Sequence, residues 1–272
     1  MGVQTELFDL TGRVALLTGA SKGMGLSMAE GLAEHGAKVV VSSRKLDQCE
    51  DACAQINAKC GDGAATPIAC NIGYKEQLEN LVTETHGQLG AIDILICNAG
   101  VNPFYGPMSE IPDEAYDKIM NSNVRSNHWL CQMVAPDMVA SGRGSMMITS
   151  STGAFSGSEA LGTYGISKLA DIALVRNLAL EYGPRGVRVN AICPGLIRTD
   201  FAKALWDNPE AKRKEIEESL ASKRSVYARA EGFAVQDMID PRKTRPTLCD
   251  WLEWVQPQLK SRSGPRSYTL RP

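Results

Sequence analysis

Three side chains between residues 151 and 168 are of types that can move a proton together. Ser151 brings a hydroxyl, Tyr164 a phenol and Lys168 an ammonium. Tyr164 and Lys168 stand four residues apart, which on a helix puts both on one face, one turn apart. A cation beside a phenol favours the phenolate, so Lys168 is expected to lower the Tyr164 pKa from about 10 toward neutral. A phenol tuned in that way exchanges a proton at working pH, as general acid–base catalysis requires. Ser151 follows the apolar run 146–150, so it stands where a buried strand ends and can face the tyrosine across a loop. Taken alone, Tyr-x-x-x-Lys also fits an ordinary exposed helix. The elements around it have to decide.

Six short apolar runs read as strands: Arg13–Thr18, Lys38–Ser42, Ala64–Cys70, Ile92–Cys97, Ser145–Ser150 and Val187–Cys193. Between them, Leu26–His35, Leu46–Ala58, Lys75–His86, Pro112–Ala140 and Thr163–Tyr182 carry helical spacing. The strands are apolar without alternation, as expected when helices cover both faces of a sheet. The pattern predicts an α/β fold: one domain with a doubly wound parallel sheet of the Rossmann kind, six or seven strands, and helices on both faces. In such sheets a ligand lies beyond the carboxyl ends of the strands. Thr18, Ser42, Cys97, Ser151 and Cys193 all fall at or near those ends.

Composition narrows the function classes. The 272 residues hold 29 Lys+Arg and 31 Asp+Glu, a net charge of -2. That balance gives no pull toward nucleic acid or an anionic membrane. The 8 cysteines form no Cys-x-x-Cys pair and there are only 3 histidines, so neither a zinc site nor a disulfide framework is expected. A reduced, cytoplasmic chain is. The amino-terminal residues lack the basic and apolar regions of a signal peptide, and Glu6 spoils a myristoylation pattern. No apolar run is long enough to span a membrane.

The first strand–helix junction reads Thr18-Gly19-Ala-Ser21-Lys22-Gly23-Met24-Gly25. Glycines there let a backbone approach a pyrophosphate, and a helix N-terminus adds unpaired N–H groups and partial positive charge. After the second strand, a site for NAD wants an acid on the ribose 2′-hydroxyl. The chain instead has Ser42-Ser43-Arg44-Lys45. Arg44 can take a 2′-phosphate bidentately, and Lys22 adds a second cation, which favours NADP(H). Asn98-Ala99-Gly100 closes the fourth strand, where a side-chain amide can tie strand ends together; a plain turn fits as well. Asn121 and Asn123 are poor helix formers inside a long helix, so each either does a job there or faces solvent.

Together the glycine turn, Asn98-Ala99-Gly100, Asn123, Ser151, Tyr164-x-x-x-Lys168 and Pro194-Gly195 resemble the short-chain dehydrogenase/reductase family, over about residues 10–206. Within it, the stretches 39–45, 98–104 and 194–199 are similar to NADPH-dependent carbonyl and retinal reductases of the peroxisomal dehydrogenase/reductase type. The resemblance implies an NADP(H)-dependent oxidoreductase that interconverts a carbonyl and an alcohol. Tyr164 would be the general acid, Lys168 would tune it and hold the nicotinamide ribose, Ser151 would bind the carbonyl, and Asn123 would hold a proton-relaying water. It assigns to the cofactor Gly19, Ser21, Lys22, Gly23, Met24 and Gly25 in the turn. It adds Ser43 and Arg44, Asn71 and Ile72 after the third strand, Asn98, Ala99 and Gly100, then Tyr164 and Lys168. Pro194, Gly195, Ile197 and Thr199 follow the sixth strand.

The chain departs from that family in three places. Asn71 stands where an Asp is usual, Cys97 where an Asn is frequent, and the segment 224–272 lacks the family's closing strand. The expected layout is a cofactor-binding domain over 1–223, with a variable lid at about 200–223, and an atypical, partly helical segment 224–272 with a disordered end. Phe104, Tyr105, Phe155, Leu161, Leu196 and Trp206 can wall an apolar pocket. A small lipophilic ketone or aldehyde is the expected substrate, and a homo-oligomer, a dimer at least, the expected assembly. A 3-oxoacyl thioester reductase and a catalytically weak NADP-binding partner protein are the two rival readings.

Overall fold

In the computed structural model, which describes residues 8–195 and residue 197, strand β1 (Val14–Thr18) is buried along its whole length. Its side chains explain why the run is apolar throughout. Val14 and Leu16 enter one core, Ala15 and Leu17 the other. The same split divides Val40 from Val39 and Val41 on β2 (Lys38–Ser43). Helices α1 (Gly23–Glu34) and α2 (Leu46–Cys60) close one face with Ala29, Ala33, Cys49, Ala52 and Ile56. Helices α3 (Lys75–Leu89), α5 (Ser126–Ala140) and α6 (Gly162–Tyr182) close the other with Leu78, Leu81, Leu130, Val134, Val175 and Leu178.

The remaining strands are β3 (Ala65–Ala69), β4 (Ile94–Cys97), β5 (Gly144–Thr149) and β6 (Val187–Ile192). All six are parallel and lie in the order β3-β2-β1-β4-β5-β6. This is the doubly wound Rossmann arrangement expected from the sequence, with six strands among the described residues. The winding reverses between β1 and β4, where such sheets bind their ligands. Register brings the carboxyl ends level: Thr18 pairs with Ser42 on one side and Cys97 on the other, and Thr149 pairs with Ile192.

Two elements differ from expectation. β6 alternates, with Val187 and Val189 buried and Arg188, Asn190 and Ile192 exposed; among the described residues it is the outer strand, and its buried side chains join the core on the α6 side. The stretch 112–140 is two α-helices, α4 (Asp113–Met120) and α5, joined by a π turn at Asn121–Arg125. There the Ser126 N–H bonds the Asn121 carbonyl five residues back. No helix among the described residues is long and apolar enough to cross a membrane.

The chain divides into two units, Met1–Lys203 and Ala204–Pro272, and all described residues belong to the first. Leu196, Thr199, the lid at 200–223 with Trp206, and the segment 224–272 lie outside the described residues.

Candidate active site

The three proton-handling groups converge where β5 ends. Thr149 closes the strand, and the chain passes through Ser150 and Ser151 into a 3-10 turn at Thr152–Phe155. Ser151 accepts the Gly153 N–H on its own Oγ at 3.1 Å, which holds the serine at the head of that turn. Tyr164 sits in the first turn of α6 and hydrogen-bonds Ser151. Lys168, one turn further, is 3% exposed. Its Nζ donates to the Thr149 carbonyl at 2.8 Å and to Asp171 Oδ2 at 3.0 Å. Ser150 Oγ donates to the Lys168 carbonyl at 2.7 Å, so the strand end and the helix are stitched from both directions.

Asn123, wholly buried in the π turn, braces the same place from behind. Its Oδ1 accepts the Val101 N–H at 2.8 Å. Its Nδ2 donates to the Val101 carbonyl at 3.0 Å and to Ser167 Oγ at 3.1 Å. Ser167 Oγ in turn donates to the Tyr164 carbonyl at 2.7 Å. Two carbonyls of the π turn carry side-chain bonds. Ser126 Oγ donates to the Ser122 carbonyl and Asn127 Nδ2 to the Asn123 carbonyl, both at 2.6 Å. Asn127 Nδ2 also donates to Asp171 Oδ1 at 2.9 Å.

Electrostatics here overturn one expectation. Tyr164 is pushed up to about 12, not down toward neutral. Burial of the phenol is the main cause; the Ser151 hydrogen bond pulls the other way, and the charges of Asp171 and Tyr105 add to the rise. The Lys168 ammonium stands 5.9 Å from the centre of the Tyr164 ring and spends its charge on Asp171. Burial also raises the Asp171 carboxyl, against the pull of Lys168 and Asn127.

The neighbouring strand ends form a cradle. Gly19 has φ 62°, and a Cβ there would stand 2.8 Å from Ala99 Cα. A Cβ on Gly25 would stand 2.2 Å from the Gly19 carbonyl oxygen, so only glycine fits this close approach. α1 begins at Gly23 with no side-chain cap on its first N–H groups and no acid in its first turn, the environment an anion prefers. Ser21 and Met24 flank the turn half-buried, and Lys22 is exposed before the helix. Asn98 ties three strands together: its Nδ2 donates to the Thr18 and Gly19 carbonyls at 3.3 and 2.9 Å, and its Oδ1 accepts from Thr149 Oγ1 at 3.3 Å. Thr18 Oγ1 accepts the N–H groups of Asn98 and Ala99, each at 3.2 Å.

The other residues assigned from sequence ring this cradle. Ser43 turns its hydroxyl toward the Lys45 carbonyl and Cys49 Sγ, and Arg44 is exposed beside it. Asn71 Oδ1 accepts the Gly73 N–H at 3.1 Å, which closes its own turn, and Ile72 packs on the core. A Cβ on Gly100 would reach within 3.5 Å of Asn123 Oδ1 and 3.7 Å of Lys168 Nζ, which brings that turn up to the proton-handling groups. The Pro194 carbonyl accepts the Thr152 N–H at 3.0 Å, Gly195 follows it, and Ile197 is exposed.

Beside Tyr164 a cleft is lined by Asn102, Phe104, Met108, Ile119, Leu161 and Thr163 among others. Phe104 and Leu161 were expected there; Tyr105 and Phe155 are exposed and are not part of that lining. Asn102 and Thr163 place buried polar atoms in this apolar setting with no hydrogen-bond partner among the described residues.

Sequence reasoning missed Asp171 and Asn127. The signal was an Asp three residues past Lys168 within the otherwise apolar run Leu169-Ala-Asp-Ile-Ala-Leu-Val175, and an Asn four past Asn123.

Known proteins place these features in context. The family described as short chain dehydrogenase matches residues 13–210. The chain is 42% identical over 216 residues to dehydrogenase/reductase SDR family member 4 of Bos taurus, covering 79% of this chain and 76% of that protein. The Homo sapiens protein of the same name is 40% identical over 221 residues, 81% of this chain and 78% of its own. Among solved structures, a levodione reductase superposes with a TM-score of 0.72 at 31% identity, covering 76% of this chain and 81% of that one. A short-chain type dehydrogenase/reductase from Mycobacterium marinum gives 0.70 at 35% identity, covering 74% and 79%.

Because Asn98 bridges β1, β4 and β5, Asn98→Ala leaves partly buried carbonyls unpaired and is expected to cost about 1–3 kcal/mol of stability. Denaturant titration checks this; an unchanged midpoint would show that the amide is not the tie.

Proposed function

We propose that this chain, which belongs to the short-chain dehydrogenase family, is an NADP(H)-dependent carbonyl reductase with Tyr164 as proton donor. The chain is an oxidoreductase of that family, and the family works with a nicotinamide nucleotide. The observation that carries the finer reading is the meeting of Ser151, Tyr164 and Lys168 at the end of β5, on the same sheet edge as the glycine cradle.

The residues fit the roles chemically. The glycine turn and the uncapped start of α1 would hold the pyrophosphate, and Arg44 with Lys22 would take a 2′-phosphate where no acid stands. Bound there, the reduced nicotinamide would supply a hydride to the carbonyl carbon. Ser151 would hydrogen-bond the carbonyl oxygen and hold it in line. The Tyr164 hydroxyl would give its proton to that oxygen as charge develops, leaving a tyrosinate that solvent reprotonates. Lys168 would hold the nicotinamide ribose and steady the tyrosine's surroundings. Asn123 would act from behind, fixing Val101 and the Ser167–Tyr164 link.

A lipophilic ketone or aldehyde suits a cleft whose walls are Phe104, Met108, Ile119 and Leu161 and whose polar lining includes Asn102 and Thr163. The names of the relatives, a levodione reductase among them, support a carbonyl substrate. A reducing, cytoplasmic setting belongs to the same reading, on the 8 cysteines that form no Cys-x-x-Cys pair in the sequence. A homo-oligomer is supported by the outer face of α6, where Ile166, Leu169 and Leu180 are 44%, 49% and 60% exposed.

Two substitutions test the chemistry with NADPH and a panel of carbonyls. Tyr164→Phe is expected to lower kcat by roughly 10²–10⁴, and near-unchanged turnover would remove the proton-donor role. Arg44→Glu is expected to raise the NADPH KM at least about tenfold while leaving NADH use little changed, as loss of a charge-assisted phosphate contact demands; an unaltered ratio of the two would refute the cofactor preference. For the assembly, light scattering is expected to give at least a dimer, reduced toward monomer by Leu169→Glu; a monomeric unsubstituted chain would exclude it.

A further inference from the structure

Buried polar atoms in a folded chain are nearly always hydrogen-bonded, and one left over is costly. Among the described residues four buried side-chain atoms have no partner, and three of them belong to one place, the cleft beside Tyr164: Asn102 Oδ1, Asn102 Nδ2 and Thr163 Oγ1. The fourth, Ser42 Oγ, stands apart near the end of β2. The two cleft residues are held in place by their surroundings. Val101, just before Asn102, is fixed through both its N–H and its carbonyl by Asn123. The Gly106 N–H bonds the Ala160 carbonyl at 3.1 Å, which ties the loop after β4 to the approach to α6. Thr163 lies in the first turn of α6, is 4% exposed and immediately precedes Tyr164. Phe104, Met108, Ile119 and Leu161 supply apolar wall that cannot answer the three atoms. Met108 lies against Gly162, where a Cβ would stand 2.4 Å from its Cγ and Sδ, and its own side chain is half exposed. An unbranched thioether there can swing aside at little cost.

We propose that Asn102 and Thr163 form a specificity subsite for a neutral hydroxyl on the substrate, so that the chain prefers hydroxyketones to plain ketones of the same skeleton. This deepens the carbonyl-reductase reading and rests on it: the reacting carbonyl is the one that Ser151 and Tyr164 would hold, and the subsite reads a second group on the same molecule. The chemistry of the three atoms selects that group. Asn102 offers a donor and an acceptor side by side, and the Thr163 hydroxyl can act as either. A hydroxyl both gives and takes, so it can answer the two residues together. A second carbonyl only accepts and leaves Asn102 Oδ1 unanswered. A carboxylate, a phosphate or an ammonium would enter without a counter-charge, since no charged side chain lines the cleft.

Stability and selectivity are set against each other at these atoms. Unpaired, they work against the fold; paired with a substrate hydroxyl, they work for binding. A site built to pair a hydroxyl rejects the analogue that lacks it, because its own polar groups are then left over. Apolar side chains of the same shape therefore act in opposite directions. They remove the unpaired atoms and steady the fold. They also remove what separates a hydroxyketone from a ketone.

The test compares cyclohexanone with 2-, 3- and 4-hydroxycyclohexanone, which carry the hydroxyl at different reaches, and with 1,4-cyclohexanedione, whose second group only accepts. In the unsubstituted chain with NADPH, at least one hydroxyketone is expected to exceed cyclohexanone in kcat/KM by about tenfold or more, with the dione between them. Asn102→Leu and Thr163→Val are each expected to bring that ratio down about tenfold. Their melting temperatures, measured without substrate, are expected to rise by about 2–4 °C. Two separate variants keep the test open if one does not fold. The proposal is overturned if no hydroxyketone is favoured by more than about twofold, less than one net hydrogen bond supplies. It is overturned equally by a ratio that both variants leave in place, or by one lost only in variants that melt lower, which would make the two residues structural. An unsubstituted chain that reduces no carbonyl with NADPH would sink the proposed activity. The subsite would then still be decided by the melting shift each ketone gives that chain: a larger shift with a hydroxyketone supports it, and equal shifts refute it.

Discussion

A full charge inside a protein has to be answered close by, and the arrangement around Lys168 follows from that requirement. Removing an ammonium from water costs several kcal/mol unless a partner and further hydrogen bonds replace the lost hydration. The chain answers with Asp171 at 3.0 Å and the Thr149 carbonyl at 2.8 Å. Each answer fixes another element. The carbonyl must be the last of β5, so the strand end and α6 are locked together. The carboxylate must itself be satisfied, which calls for Asn127 and thus sets α5 against α6. Asn127 reaches both Asp171 and the carbonyl of Asn123, which lies in the π turn.

A second closure acts on the other side of the sheet's reversal point. Thr18, Gly19, Asn98 and Thr149 come from the ends of three strands and meet through one side-chain amide and two hydroxyls. The space left between Gly19, Gly25 and Ala99 is too small for any Cβ at the glycines. Backbone N–H groups at the start of α1 are thereby brought to the surface of the cradle rather than hidden behind side chains. The two closures share Thr149, whose carbonyl takes Lys168 and whose hydroxyl bonds Asn98. Nucleotide cradle and proton-handling groups are therefore neighbours through a single residue of β5.

Much of this was legible in the sequence. Unbroken apolar runs such as Val14–Leu17 announce a strand covered on both faces, and the expected strand and helix limits fall within a few residues of those found. Ser151, Tyr164, Lys168 and Asn98 stand together because spacing and strand ends fix them locally. What escaped depends on contacts between segments distant in the chain. Asp171 and Lys168 are near in sequence, but that Asp171 faces inward, and that Asn127 comes to meet it from 44 residues away, is set by the packing of α5 on α6. The direction of the Tyr164 shift was misjudged for the same reason: the lysine is visible in the spacing, the burial of the phenol that mainly raises it is not. The π turn was read only as two awkward asparagines, since no local pattern distinguishes one extra residue in a helix from an ordinary turn.

That extra residue has a meaning of its own. A helix is a counter: each residue advances the face it presents by about 100°. The turn at Asn121–Arg125 resets the count between α4 and α5, so every side chain from Ser126 onward owes its bearing to the number of residues before it as much as to its own chemistry. Leu130, Val134 and Met138 point at the sheet, and Asn127 at α6, in one fixed phase. The polar contact and the hydrophobic stripe of α5 are thus not independent features that evolution could adjust one at a time. A sequence that lost or gained one residue there would have to rewrite the whole helix to recover both.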